Sequence, residues 1–84
     1  MDVDVPDIAL TPRMKRTMEN AARIAASRGH TWVGTEHVLL AFLDDPAGIA
    51  GSSIRMLGFE PALRDKVEGV LASIGYRSSS TELP

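Results

Sequence analysis

An all-α fold, a compact bundle of four helices, is the class this sequence predicts, and three observations carry it. Apolar residues recur at helical spacing in four stretches, and no stretch alternates convincingly at strand spacing. The stretches are punctuated by residues that start and stop helices: Thr11 and Pro12 before the first, and Gly29, Gly58 and Gly75 after the first, third and fourth. The intervals between them are short, as in compact helical domains.

The first helix is expected from about Pro12 to Arg28, with Thr11 as its N-cap and Pro12 at the first helical position. Leu10, Met14, Met18, Ala21 and Ala25 fall on one face, while Arg13, Lys15, Arg16, Glu19, Asn20, Arg23 and Ser27 populate the other side. The second is expected over 35–44, with Thr35 as N-cap and Glu36 in the first turn, where a carboxylate favours the helix dipole. Its run from Val38 to Leu43 is apolar all round, which predicts a short, central, buried helix ended by Asp44, Asp45 and Pro46. The third is expected over 47–57, with Ala50, Ile54 and Leu57 on a shared face. Gly48 and Gly51 inside it cost roughly 1 kcal/mol each relative to Ala, so it should be the least stable. The fourth is expected over 61–74, with a stripe of Leu63, Val67, Val70, Leu71 and Ile74. The expected core is Leu39, Leu40, Leu43, Leu57, Leu63, Val67 and Leu71. Residues 1–9 read as a loose lead-in, 10–76 as the single helical domain and 77–84 as a polar, Ser-rich tail.

Composition narrows the function. Eighty-four residues hold one domain, and 44% hydrophobic with 24% charged residues excludes a wholly disordered chain. There is no cysteine, so packing alone must hold the fold, without disulfides or thiolate metal sites. A chain this near the lower size limit for an independent core is expected to gain from self-association. The net charge of −2 is too mild for an acidic tail or a nucleic-acid protein. The longest apolar run, Val38 to Leu43, is far too short to span a bilayer, so no membrane partner is expected. The amino terminus, MDVDVPD, lacks the layout of a signal peptide, which predicts a cytoplasmic address.

No residue set points to catalysis or to a cofactor. The glycines are scattered rather than gathered into a phosphate loop. His30, His37 and Glu36 are the nearest thing to a metal cluster, but no further ligands support them, and packing at a helix start explains His37 as well. Ser52 and Ser53 follow Gly51 without a base or an acid nearby in sequence, so no hydrolase is expected. Arg13, Lys15, Arg16, Arg23 and Arg28 give the first helix a basic face, which a solvated surface explains. A helix-turn-helix reading fails because the third helix offers a groove only Arg55 and the Ser52–Ser53 pair. Trp32, the single tryptophan, is either a lid over the core or an aromatic contact for a peptide.

The segment from Arg28 to Leu43, RGHTWVGTEHVLLAFL, closely resembles the amino-terminal repeat of Clp-type AAA+ chaperones, where Gly-His, a short loop and Gly-Thr-Glu-His-Leu-Leu-Leu recur. Leu10-Thr11, Gly48-Ile49-Ala50 and Met56-Leu57-Gly58 resemble further family elements, so the resemblance covers about residues 10–74. It implies one Clp repeat without the motor: a non-catalytic module that docks protein substrates or adaptors. The family's domain usually holds two repeats related by a pseudo-twofold axis, whereas this chain has one. The resemblance therefore implies either a homodimer that rebuilds the pair or a unit that stands alone. In the ClpC branch such domains recognise phosphorylated arginine on proteins marked for degradation. By position, Glu36 would take the guanidinium and Thr11, at the start of the first helix, the phosphate. Arg13 stands where the family often has an acid; it either adds a cation for the phosphate or repels the guanidinium. Thr11, Thr35 and Glu36 are equally explained as helix caps and dipole partners.

Overall fold

The computed structural model describes residues 8–73, 75 and 76. They form α1 (Pro12–Ser27), α2 (Thr35–Leu43), α3 (Ile49–Met56) and α4 (Glu60–Leu71), and no strand occurs among them. None of these helices is long and apolar enough to cross a membrane. The expected lead-in and tail fall largely outside the described residues, as does Ile74 of the expected fourth stripe.

Each helix starts and stops for a local reason. Thr11 is extended, and its Oγ1 accepts the Met14 main-chain N–H at 3.0 Å, which caps α1 as expected. At the other end Gly29 takes φ +76°, the Gly29 N–H bonds Ala26 O and the His30 N–H bonds Ala25 O. Gly58, at φ +77°, ends α3 in the same way, with bonds from Gly58 to Arg55 O and from Phe59 to Ile54 O. Both are Schellman closures, in which glycine adopts the left-handed conformation without a Cβ penalty.

Four local expectations are corrected. Gly34, not Thr35, is the N-cap of α2, because the His37 ring reaches back to its N–H and pulls Thr35 into the first turn. Helix α3 begins at Ile49, leaving Gly48 as the cap. Helix α4 runs from Glu60 to Leu71, starting one residue earlier and stopping three residues sooner than expected. Leu57 is 68% exposed rather than buried.

Helix α2 is the centre of the molecule and packs against each of the other three. Its His37, Leu40, Ala41 and Leu43 are buried. From α1 it meets Thr17, Ala21 and Ala25, three short side chains that let the two axes approach. The Thr17 hydroxyl donates to Arg13 O at 2.9 Å, so burying it leaves no donor unsatisfied. Leu40, Leu43 and Leu71 form the core cluster, with Ile24, Ile54, Leu63 and Val67 packed partly buried around it. Leu39 is only half-buried.

The setting of α3 explains Leu57. A Cβ on Gly51 would lie 2.2 Å from Phe42 O and 2.4 Å from Asp45 O, so the α3 backbone sits directly on the carboxyl end of α2. That contact turns Gly51 and Ile54 inward and sends Leu57 outward. Gly51 therefore serves close packing here, where sequence reasoning saw only a weak helix residue. Gly51→Ala should lower stability by about 1–3 kcal/mol through overpacking, despite the better helix propensity of alanine. Gly69→Ala, in the exposed last turn of α4 with nothing within 4 Å, should raise it by roughly 0.5–1 kcal/mol. Urea denaturation midpoints moving in opposite directions would check the pair.

Candidate functional site

The α1–α2 hairpin displays polar groups at both ends, and the sequence-predicted site residues divide between them. At one end lie Thr11 and Arg13. The Arg13 Nη1 sits 2.7 Å from each carboxylate oxygen of Asp45, just past the end of α2. The Arg13 guanidinium, bonded to Asp45, holds that carboxyl below its usual range, and the Ala47 and Gly48 main-chain N–H groups add to the effect. The pair is substantially exposed, so it places the Arg13 side chain rather than stabilising the fold appreciably. It borders an open cleft of about 120 Å³ between the start of α1 and the start of α3, lined also by Met14, Phe42, Ile49 and Ala50.

At the other end lie Glu36 and Trp32. Glu36 occupies the first turn of α2 and accepts a hydrogen bond from the Tyr76 hydroxyl, which arrives from beyond α4. The Tyr76 ring lies 5.0 Å from that of His30. His30 in turn stacks on Trp32 at 5.1 Å, with the planes 12° apart. The indole is half-buried, and its Nε1 is turned inward with no hydrogen-bond partner among the described residues. Trp32 thus covers the His30–His37 pair. Arg28 pairs with Glu68 alongside this end, Nη2 to Oε2 at 2.6 Å.

His37 is fully buried beneath this cluster. Its Nδ1 accepts the Gly34 N–H at 2.8 Å, and its Nε2 lies 3.0 Å from His30 Nδ1. With Nδ1 committed as an acceptor, Nε2 carries the proton and donates to His30. Burial holds the His37 pKa below 6.5; His30 and Arg28 act in the same direction, and the Glu36 carboxylate opposes them. The two histidines do meet, as a hydrogen-bonded pair. Among the described residues no three His, Cys, Asp or Glu side chains gather for a metal ion.

Glu36 and Thr11 do not come together within one chain. Asp45, which holds Arg13, is nine residues beyond Glu36, about 13 Å along the α2 direction at 1.5 Å per residue. Two side chains that pair with predicted site residues are not signalled by the sequence: Asp45, which looks like a helix terminator, bonds Arg13, and Tyr76 bonds Glu36. Their partners are 32 and 40 positions away, so no local pattern signals them.

Fold and site define an all-helical repeat module that presents charged groups at the two ends of a buried central helix. The chain belongs to the family described as the Clp repeat (R) N-terminal domain, which matches residues 9–84. It is 35% identical over 86 residues to the chloroplastic chaperone protein ClpC1 of Arabidopsis thaliana, covering 93% of this chain and 9% of that protein. It is 32% identical over 87 residues to the chloroplastic chaperone protein ClpC2 of Oryza sativa subsp. japonica, covering 93% of this chain and 10% of the relative. Against the chloroplastic ClpA homolog CD4B of Solanum lycopersicum, an ATP-dependent Clp protease ATP-binding subunit, identity is 34% over 87 residues, covering 93% of this chain and 9% of that protein. The chain thus spans about a tenth of the length of these curated relatives. No solved structure matches.

The buried histidine gives stability a pH dependence. Its folded-state pKa lies below the ordinary 6.5, so between the two values the unfolded chain binds more protons than the folded one. The His37 contribution is complete above about pH 6.5 and falls away as pH drops through that window. Acidification from about pH 7.5 to 5.5 should lower Tm. His37→Gln, which keeps an acceptor for the Gly34 N–H, should reduce that drop. Scanning calorimetry of both proteins across the range checks the slope.

Proposed function

We propose that this chain is a non-catalytic protein-docking module that takes phosphoarginine-tagged proteins or adaptors, and that it modulates a Clp protease by binding such ligands. The observation that carries the reading is the cleft at the start of α1, where Thr11 and an anchored Arg13 stand at the position assigned to the phosphate. A helix amino terminus and a guanidinium both favour an anion. Glu36 supplies the carboxylate for the ligand's guanidinium. Because these halves lie about 13 Å apart along α2, and a phosphoarginine joins its guanidinium directly to its phosphate, one chain does not clamp one ligand at both ends. The reading therefore includes a homodimer in which each copy supplies one half of a shared site. Neither nucleic acid nor membrane belongs to this reading. Its address is cytoplasmic; the plastid location in the relatives' names belongs to those proteins.

The test is a calorimetric titration of the 84-residue chain with free phosphoarginine, together with light scattering. Binding is expected in the wild type. Glu36→Ala should remove a charge-assisted pair of about 1.5–3 kcal/mol, a loss of roughly 10- to 150-fold in affinity, with helix content nearly unchanged. Thr11→Ala should weaken binding and also cost about 1 kcal/mol of stability through the lost cap. No heat of binding at millimolar ligand would reject the phosphoarginine reading. A dimer that gives no heat would point instead to a structural or regulatory homodimer without a small ligand.

A further inference from the structure

Among the described residues, nothing covers one flank of α3, and the backbone sets that flank there. Helix α3 faces α2 with Gly51 and Ile54, and the close approach at Gly51 leaves no freedom to turn about its axis. The opposite flank therefore points permanently outward. It reads Ile49, Ser53, Met56 at i, i+4, i+7, with Leu57 and Phe59 following. Ile49 is 85% exposed, Met56 86% and Phe59 56%.

We propose that this flank is the contact between two copies of the chain, with the two α3 helices antiparallel and Ser53 at the twofold axis. The proposal rests on the homodimer reading above and names its face. A second copy fits better than another occupant for three reasons. The stripe has large apolar residues toward each end and a small one between, so a copy turned about a twofold axis at Ser53 meets the same apolar surface, as an isologous contact needs. Reversing one helix about Ser53 sets Ile49 against Leu57 of the partner subunit, with Met56 beside that contact, and Ser53 allows the axes to approach. The stripe carries no charge, and the single charged residue of α3, Arg55, turns its guanidinium toward Leu43 O at 3.5 Å. No like charges are then buried against each other. Finally, the exposed surface of Ile49, Met56, Leu57 and Phe59 comes to roughly 600 Å² per copy, so pairing would hide at most about 1,200 Å², the lower edge of a stable interface. Ile49 also edges the Thr11–Arg13 cleft, so a copy seated on it borders that site.

The absence of cysteine makes the geometry testable by cross-linking. Ser53→Cys places one thiol per chain at the axis, within disulfide reach of its symmetry mate. Mild oxidation should convert most of this variant to a covalent dimer, while Ala22→Cys, on an exposed position of α1, should stay uncross-linked. Met56→Glu should sediment as a monomer at concentrations where the wild type is dimeric, with unchanged helix content by circular dichroism. A wild-type dimer that persists in Met56→Glu and gives no Ser53→Cys cross-link would overturn the proposed face and leave the homodimer reading intact. A wild type that stays monomeric at millimolar concentration would overturn both.

Discussion

Helix α2 has no polar side to give to water beyond its first turn, and this constraint organises the whole molecule. Six unbroken apolar residues, Val38 to Leu43, are stable in a helix only if other elements cover them on several sides. One neighbour covers one stripe, so three are needed. The remaining helices are shaped to that task. Helix α1 contributes short side chains, Thr17, Ala21 and Ala25, that permit a close axis. Helix α3 contributes a glycine that sits on the α2 carbonyls, and α4 contributes Leu71. None of these three helices is buried on more than one face.

The same enclosure fixes the chemistry of His37. A polar ring fully buried at the start of this helix has to be neutral and bonded at both nitrogens, and it is: Gly34 donates to one and His30 accepts from the other. His30 is then held in place, and the rings of Trp32 and Tyr76 pack against it. Tyr76 in turn donates to Glu36. A short chain of contacts thus ties the α1–α2 loop, the start of α2 and the segment after α4 into one unit. The exposed Arg28–Glu68 pair lies beside it but adds little to stability.

What could be read in the sequence followed from local physics. The four helices, the Thr11 cap, the glycine stops at 29 and 58 and the central place of α2 all depend on residues within a turn of each other. The exceptions depend on contacts between distant residues. Leu57 looks like core on a helical wheel, yet it faces out because Gly51 sets the rotation of α3 against a helix whose position the wheel does not contain. Thr35 looks like a cap, but a histidine three residues past Gly34 satisfies that N–H and moves the helix start. Thr17 is polar yet buried, because a main-chain acceptor four residues back satisfies its hydroxyl. At the site, the motif placed Glu36 and Thr11 correctly on their elements. Their separation across α2, and their partners Tyr76 and Asp45, emerge only from the packed hairpin.

Both halves of the proposed ligand site already hold an internal partner. Arg13 bonds Asp45, and Glu36 bonds Tyr76. For the proposed ligand, binding is then an exchange rather than a filling of empty positions, and its free energy is the difference between two sets of contacts. At Arg13 the exchange favours a phosphate, whose charge exceeds that of one carboxylate, but Asp45 remains close enough to repel it. At Glu36 a guanidinium replaces a neutral hydroxyl, a gain in charge assistance. The carboxylate half should therefore supply most of the net affinity, and the α1 end most of the discrimination between a phosphorylated and an ordinary arginine. Such exchange sites bind weakly one at a time. Two of them on a twofold-related pair of chains gain through effective concentration when both engage one substrate, which gives a physical reason for a single repeat to work as a pair.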